Sequence, residues 1–417
     1  INEQIEYKII KVKKNFAIGK LLEIHDASED RVTPPCVYYQ KCGGCQLQHM
    51  TYRAQLDMKR EQVVNLFHRK AGFDSTTIHD TIGMETPWHY RNKSQIPVGK
   101  NKAQETVMGF YRQRSHDIID MDECLIQDDI HNEVMNKVRD WLNELQVSIY
   151  NERKKKGIVR HVVIRAGHHT GELMVIFVTN GRKLKQSQTL VDRLVATFPN
   201  ITSIKQNINQ THSNVIMGDE SVTLYGKDQI EDTLSDVRFK ISDQSFYQIN
   251  TSQTEKLYQK AIDYAALSGE ETVLDTYCGI GTIGLYMAPQ AKHVYGVEVV
   301  PEAITDAKEN ATINGYQNTT FVCGKAEEVI LDWQSNGIKP DVVMVDPPRK
   351  GCDETFLDTL LALKPQKIIY ISCNPSTQQR DALRLSSNYD LVQITPVDMF
   401  PHTTHVETVA QFIRKDV

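Results

Sequence analysis

The feature that most constrains the fold is the strict alternation of apolar runs and helical segments from residue 246 onward. Glu271-Thr-Val-Leu-Asp275, Val294-Tyr-Gly-Val-Glu298, Asp341-Val-Val-Met-Val-Asp346 and Ile368-Ile-Tyr-Ile-Ser-Cys373 are short, rich in β-branched residues, and each stops at a polar turn. Such runs are the strands of a mostly parallel sheet covered by helices. Open α/β sheets keep their ligands at the carboxyl ends of the strands. Asp275, Glu298, Asp346 and the Cys373 thiol are therefore expected along one sheet edge.

The first of these strands runs into Tyr277-Cys278-Gly279-Ile-Gly281-Thr282, a glycine turn that opens a helix. Glycine there lets the backbone approach a nucleotide-type ligand, and Glu298 at the next strand end is placed to take two ribose hydroxyls. The third glycine of a dinucleotide fingerprint and a Walker lysine are both missing, so S-adenosylmethionine fits better than NAD or ATP. The same acids could instead cap helices. Cys373, before Asn374-Pro375, reads as a buried structural thiol or as a nucleophile. A strand beginning just after Glu407 would bring that acid, and with it His405, to the same edge, and an acid beside a thiol suits proton transfer.

At 417 residues the chain exceeds one core, so two or three domains are expected. No apolar run is long enough to span a bilayer and no leader-like segment is present, which makes a cytoplasmic protein without membrane contact the expectation. A net charge of -5 means that any nucleic acid would be held by local basic patches. Segments 5–14 and 16–24 read as two strands with a lysine-rich face (Lys11, Lys13, Lys14, Lys20), alternatively a solvated edge with gatekeeper lysines. Two strands make no stable unit, so they are expected to close a small β-barrel whose first half precedes Ile1.

Eight cysteines are too few for a disulfide scaffold, and three of them fall within ten positions, in Cys36-Val-Tyr-Tyr-Gln-Lys-Cys42-Gly-Gly-Cys45. Thiolates this dense, with glycines letting the chain wrap, suit a metal site lacking one ligand, for which Cys124 is the nearest remaining cysteine. Spacing does not separate iron-sulfur from zinc. Beyond it, residues 52–70 read as one amphipathic helix and 129–145 as another. The segments Trp88–Ile96 and Val107–His116 interleave aromatics, arginines and amides, either an RNA-stacking surface or a solvated sheet face. With a basic loop at 153–157, strands at 161–165, 172–178 and 201–205, and a helix at 184–198, this is an α+β insert.

Together the Cys-x5-Cys-Gly-Gly-Cys loop, Phe246-x-Gln248-x-Asn250, Asp346-Pro-Pro-Arg349, Ser372-Cys-Asn-Pro375 and His405-Val-Glu-Thr408 resemble the RNA uracil-C5 methyltransferase family over nearly the whole chain. The resemblance is greatest to the bacterial 23S rRNA branch with an iron-sulfur cluster. It implies that Cys373 is the nucleophile that attacks C6 of uracil and Glu407 the base that removes the C5 proton. It implies cofactor contacts from Gln248, Tyr277, Glu298 and Asp346, with Asp346 alternatively on the uracil. Thr282 stands where many relatives have Asn, so that position carries over weakly. Cys36, Cys42, Cys45 and Cys124 match the ligands of a 4Fe-4S cluster, with zinc as the alternative.

The implied fold is multidomain α/β. Residues 1–30 would be the end of a TRAM-like (OB-like) β-barrel and 31–47 a cysteine loop associated with the catalytic domain. Residues 48–244 would be an α+β central RNA-binding domain contributing Cys124, and 245–417 a Rossmann-like class I methyltransferase domain. The implied partner of this monomer is a 23S rRNA stem-loop presenting a flipped uridine, U747, U1939 or both. A transfer RNA target is the alternative, although that branch usually lacks the cysteine cluster. A DNA cytosine or protein methyltransferase and a noncatalytic RNA-binding metal scaffold are the competing classes.

Overall fold

The computed structural model describes residues 2–14 and 16–415. Ile1, from which the upstream half-barrel was counted, lies outside the described residues. The two expected strands, β1 (Gln4–Val12) and β2 (Ala17–Asp26), form an antiparallel hairpin. Ile5, Tyr7, Ile9, Ile10, Val12, Leu21 and Leu22 are all exposed on it.

After the cysteine loop comes α1 (Tyr52–Val64), capped by Thr51, whose side chain accepts from the Ala54 amide. The single helix expected over 52–70 does not run through. It widens at Val64 into a π-helical turn, Asn65–Lys70, which buries Phe67 completely against Phe73. The two-residue strand β3 (Thr77–Ile78) follows.

The α+β insert is a seven-stranded sheet. It comprises β4 (Lys93–Lys100), β5 (Thr106–Tyr111), β6 (Ile118–Asp120), β7 (Val159–Ala166), β8 (Leu173–Thr179), β9 (Ile201–Ile208) and β10 (Glu220–Gly226), in the order β10-β9-β8-β7-β4-β5-β6. Helices α2 (Asp129–Glu144) and α3 (Ser187–Thr197) lay Val134, Val138, Leu142, Leu190 and Leu194 on one face. From the other face Val163, Met174, Ile176 and Val178 enter the same core as the hairpin β11 (Ile230–Leu234) and β12 (Val237–Ile241) and helix α4 (Thr251–Ala265). Continuous packing of this kind holds the insert rigidly against the carboxyl-terminal half.

That half alternates as expected: β13 (Thr272–Thr276), α5 (Thr282–Met287), β14 (His293–Glu298), α6 (Pro301–Ile313), β15 (Thr319–Cys323), α7 (Ala326–Ser335), β16 (Val342–Val345), α8 (Glu354–Leu363), β17 (Lys367–Ser372), α9 (Pro375–Leu385), β18 (Tyr389–Val397) and β19 (Glu407–Arg414). The strand order is β15-β14-β13-β16-β17-β19-β18-β3. Strands β13 to β17 are mutually parallel, and β19 runs antiparallel between β17 and β18. The order reverses between β13 and β16, which opens a crevice at their carboxyl ends. This is a class I methyltransferase-like α/β architecture. No described helix is long and apolar enough to cross a membrane.

Candidate active site and cysteine cavity

A cavity of about 790 Å³ lies at that crevice, and Gln248, Tyr277, Thr282, Glu298, Asp346, Cys373 and Glu407 all line it. The structure thus brings these seven residues together in one cavity, and leaves Asp275 and His405 out of its lining. Cys373 sits in the tight turn between β17 and α9. Asn374 caps that helix by accepting from the Ser376 amide, and the Asn374 amide donates to Ser372 Oγ at 3.1 Å. The Asn374 side chain donates to the Arg349 carbonyl at 3.1 Å and ties this turn to the Asp346-Pro-Pro-Arg turn. Glu407 is the first residue of β19.

The electrostatics of the cavity favour protons on Asp346 and Glu407. Burial pushes the Asp346 carboxyl up to about 7. Burial and then the Asp346 charge push Glu407 up to about 8, with Arg349 opposing. Burial and then the charges of Glu407 and Asp346 push the Cys373 thiol up to about 11, again against Arg349. Arg349 is thus the cation through which these groups are balanced, a function its place in the Pro-Pro turn does not announce. Phe246, Tyr258 and Phe400 also line the cavity and were not anticipated as site residues.

The glycine turn behaves as a cradle. Gly279 (φ +54°) has no atom within 4 Å of where a Cβ would project, leaving room for a ligand. Tyr277 is held at φ +62°, and its ring meets Phe356 edge-on at 5.4 Å. An uncommon backbone conformation in a bulky residue is most often found at ligand sites. Glu298 accepts from the amides of Gly279 (3.3 Å), Val299 (2.7 Å) and Val300 (3.1 Å), which fixes its carboxylate and leaves one lone pair, on Oε2, for a ribose hydroxyl. The Thr282 hydroxyl lies 3.2 Å from that of Tyr258. Asp275 departs from expectation. It is buried beneath the turn, accepting from the Gly284 amide at 2.8 Å, and so braces the cradle without lining the cavity. His405 is likewise not among the lining residues and packs its ring against Phe400.

Cys36, Cys42, Cys45 and Cys124 line a second cavity of about 390 Å³, and all four are free thiols. Burial raises the Cys42 thiol, and it pushes Cys45 up to about 11 and Cys124 up to about 12. Four thiols converging from two segments are a donor set that a metal centre, by deprotonating them, would relieve of that cost. Tetrahedral zinc, with Zn–S near 2.3 Å, needs sulfurs about 3.8 Å apart. Among the described residues no three of these sulfurs lie within 4.8 Å of one another. The cysteine loop is hooked to both halves of the protein. The Gly43 amide donates to the Tyr111 carbonyl, and the Gln46 and Leu47 amides both donate to the His402 carbonyl at 2.9 Å.

The two aromatic-basic segments part company. Phe110–His116 borders an open groove together with Gly43 and Gly44. The segment from Trp88 is taken up inside: Trp88 stacks on His402 at 3.7 Å, Tyr90 and Asn92 are buried, and Arg91, Lys93 and Gln95 face the cysteine cavity. It is neither an RNA-stacking surface nor a solvated face.

The sequence profile of the tRNA (Uracil-5-)-methyltransferase family matches residues 51–415. The chain belongs to this family. It is an enzyme, an RNA (uracil-C5)-methyltransferase. A protein named as an uncharacterized RNA methyltransferase from Staphylococcus epidermidis is 73% identical over 416 residues, covering 100% of this chain and 91% of that relative. Another, from Staphylococcus aureus, is 72% identical over 412 residues, covering 99% and 91%. Among solved structures, the Pyrococcus abyssi tRNA (uracil-54, C5)-methyltransferase in complex with S-adenosyl-L-homocysteine superposes with a TM-score of 0.79. It is 30% identical, with 99% of this chain and 93% of that one covered.

Proposed function

We propose that the enzyme methylates C5 of a uridine in 23S rRNA, U747, U1939 or both, through a covalent adduct between Cys373 and C6. The observation that carries this reading is the meeting of Cys373 and Glu407 in one cavity with the Gly279–Glu298 cradle. C5 of uracil is a poor nucleophile until a thiolate adds at C6. Cys373 Sγ forms that bond and leaves an enolate electron pair at C5. S-adenosylmethionine, which Gln248, Tyr277, Glu298 and, more weakly, Thr282 would hold, would supply the methyl group to C5 and leave as S-adenosylhomocysteine. Glu407 then takes the C5 proton, and the returning electron pair expels the Cys373 thiolate from C6. Asp346 holds the cofactor or the uracil edge.

Cys36, Cys42, Cys45 and Cys124 hold a 4Fe-4S cluster in this proposal, in preference to zinc, supported by their spacing around one cavity. The division of the chain follows the same reading. Residues 1–30 belong to a TRAM-like barrel and 31–47 are the cysteine loop. Residues 48–244 form the RNA-binding unit, with the Phe110–His116 groove as its RNA surface, and 245–417 form the catalytic unit. The enzyme acts as a monomer on a stem-loop whose target base is flipped out.

A transfer RNA uridine is the second reading, favoured by the name of the Pyrococcus abyssi neighbour. Mapping 5-methyluridine in 23S rRNA and tRNA from cells with and without the gene separates the two. Trapping on 5-fluorouridine RNA tests the adduct. A covalent complex dependent on S-adenosylmethionine and Cys373 supports it, and tight RNA binding without any complex would make the protein a scaffold.

A further inference from the structure

The segment that joins β18 to β19 begins with five residues, Asp398 to His402, whose main-chain carbonyls are all engaged. Gln253 Nε2 donates to the Asp398 carbonyl (3.0 Å) and Asn250 Nδ2 to that of Met399 (3.1 Å). Lys59 Nζ donates to the Phe400 carbonyl (3.1 Å) and Tyr90 Oη to that of Pro401 (3.1 Å). The Gln46 and Leu47 amides donate to the carbonyl of His402. The last residue is fixed further by Gln55, whose Oε1 accepts from the His402 amide at 3.0 Å, and by the Trp88 stack. A loop held at every carbonyl is a rigid element, unlike most connections of its kind.

The sources of the last two contacts differ from the rest. Gln46 and Leu47 directly follow Cys45. Tyr90 sits on the other cysteine segment, because the amides of its neighbours His89 and Arg91 donate to the carbonyls of Leu125 and Ile126, one and two residues past Cys124 (2.8 and 3.0 Å). The adjacent carbonyls of Pro401 and His402 are therefore held one by each half of the cysteine set. Two residues before them Met399 starts the turn into Phe400, which lines the active-site cavity, and five residues after His402 the chain delivers Glu407.

We infer that residues 398–402 are a strap through which occupancy of the cysteine cavity positions Glu407 and Phe400, with Tyr90 and the Gln46–Leu47 amides as its positioning groups. The inference rests on the reading of the four cysteines as ligands of one metal centre. Bridging Cys36, Cys42 and Cys45 to Cys124 fixes the distance between the two segments, and so fixes the two carbonyls they hold. Emptying the cavity lets the segments move apart, and the strap loosens at its His402 end. The centre then acts as a sensor, since its loss withdraws the base without unfolding the enzyme.

Hydrogen exchange of the full chain tests this, comparing anaerobically purified protein with the same protein stripped by chelator, with iron measured in both. Stripping is expected to speed exchange several-fold at amides 399–407 while β8 stays unchanged. The Tyr90→Phe variant is expected to keep its iron, to exchange faster at 399–407 even when loaded, and to lose kcat with KM for S-adenosylmethionine unchanged. Full iron with equal exchange in loaded and stripped protein overturns the strap alone, as does a rise in exchange that extends to β8. A Tyr90→Phe variant indistinguishable from wild type at 399–407 also overturns it. Protein that holds neither iron nor zinc, as isolated or after reconstitution, overturns the metal-centre reading first and the strap with it.

Discussion

Cys373 leaves β17 at the point where Glu407 enters β19: the last paired residues of these antiparallel strands are Ser372 and Thr408. The proposed nucleophile and base are therefore each one step beyond the same strand pair. A Glu407→Gln variant, which keeps size and loses basicity, should still form the adduct but fail to release it. Methylated product is expected to fall by about 10²–10⁴-fold, with the protein–RNA adduct accumulating on denaturing gels in the presence of S-adenosylmethionine. Cys373→Ala should remove adduct and product alike. An active Glu407→Gln enzyme would assign the base elsewhere.

The buried acids make both activity and stability depend on pH, in opposite senses. Glu407 must be ionised to accept a proton, so single-turnover rates should rise with pH through about 8. Folding runs the other way. Asp275, Asp346 and Glu407 bind protons more tightly folded (about 8, about 7 and about 8) than unfolded (about 4). Between those values the native state holds more protons, so stability is full below about 4 and is lost as pH rises toward 8. The contribution of these acids to the thermal midpoint of the ligand-free protein should fall away between about pH 4 and 8, the span of those shifts, and a flat profile would place these acids in contact with water.

Glu298 should matter for the cofactor and not for RNA. Replacing Glu298 by Ala removes an acceptor for a ribose hydroxyl and frees the Gly279, Val299 and Val300 amides. A charged hydrogen bond contributes about 1.5–3 kcal/mol, so S-adenosylhomocysteine affinity measured by calorimetry should drop at least about tenfold, with RNA affinity unchanged.

Lys59 and Asp398 form an ion pair at 2.5 Å with both side chains fully buried, and Tyr52 also donates to Asp398 at 2.9 Å. Lys59→Met would leave a carboxylate in the core and should cost about 3–5 kcal/mol in denaturant unfolding. Lys59→Met with Asp398→Asn should recover much of that loss. If the single variant is as stable as wild type, the site admits water.

Cys124→Ser should weaken the proposed metal centre more than any change at surface Cys323, because it removes one of the four thiols that line the cavity. Iron analysis and visible absorbance of anaerobically purified variants read this directly.

Much of the catalytic half was legible because its strands are buried on both faces. Ile368–Ser372 and Val342–Val345 carry no competing polar pattern, and the turns after them announce themselves by Asp-Pro-Pro and Ser-Cys-Asn-Pro. Density singled out Cys36, Cys42 and Cys45, while Cys124, 79 residues further on, carried no local signal and meets them in one cavity only through the fold. What escaped depended on distant pairing. The hairpin β11–β12 alternates too briefly to stand out, and β18 becomes a strand by pairing with β19. Asp275 lies inside β13, whereas Asp346 follows the end of β16, and under the turn Asp275 accepts from the Gly284 amide. Trp88–Gln95 has the composition of a nucleic-acid surface, yet His402, more than three hundred residues later, supplies the ring that takes Trp88 inside.

The insertion of β19 between β17 and β18 has a consequence for how the enzyme comes into being. Strand β18 touches the rest of the sheet only through β19 and β3, so neither can settle before the last strand has been made. During synthesis Cys373 emerges well ahead of Glu407. A nascent chain that met RNA early would carry a nucleophile without the group that releases it, a suicide complex in the making. The topology guards against this, because the gap between β17 and β18 is closed by the same strand that brings the base: the pocket becomes complete and able to turn over in a single event.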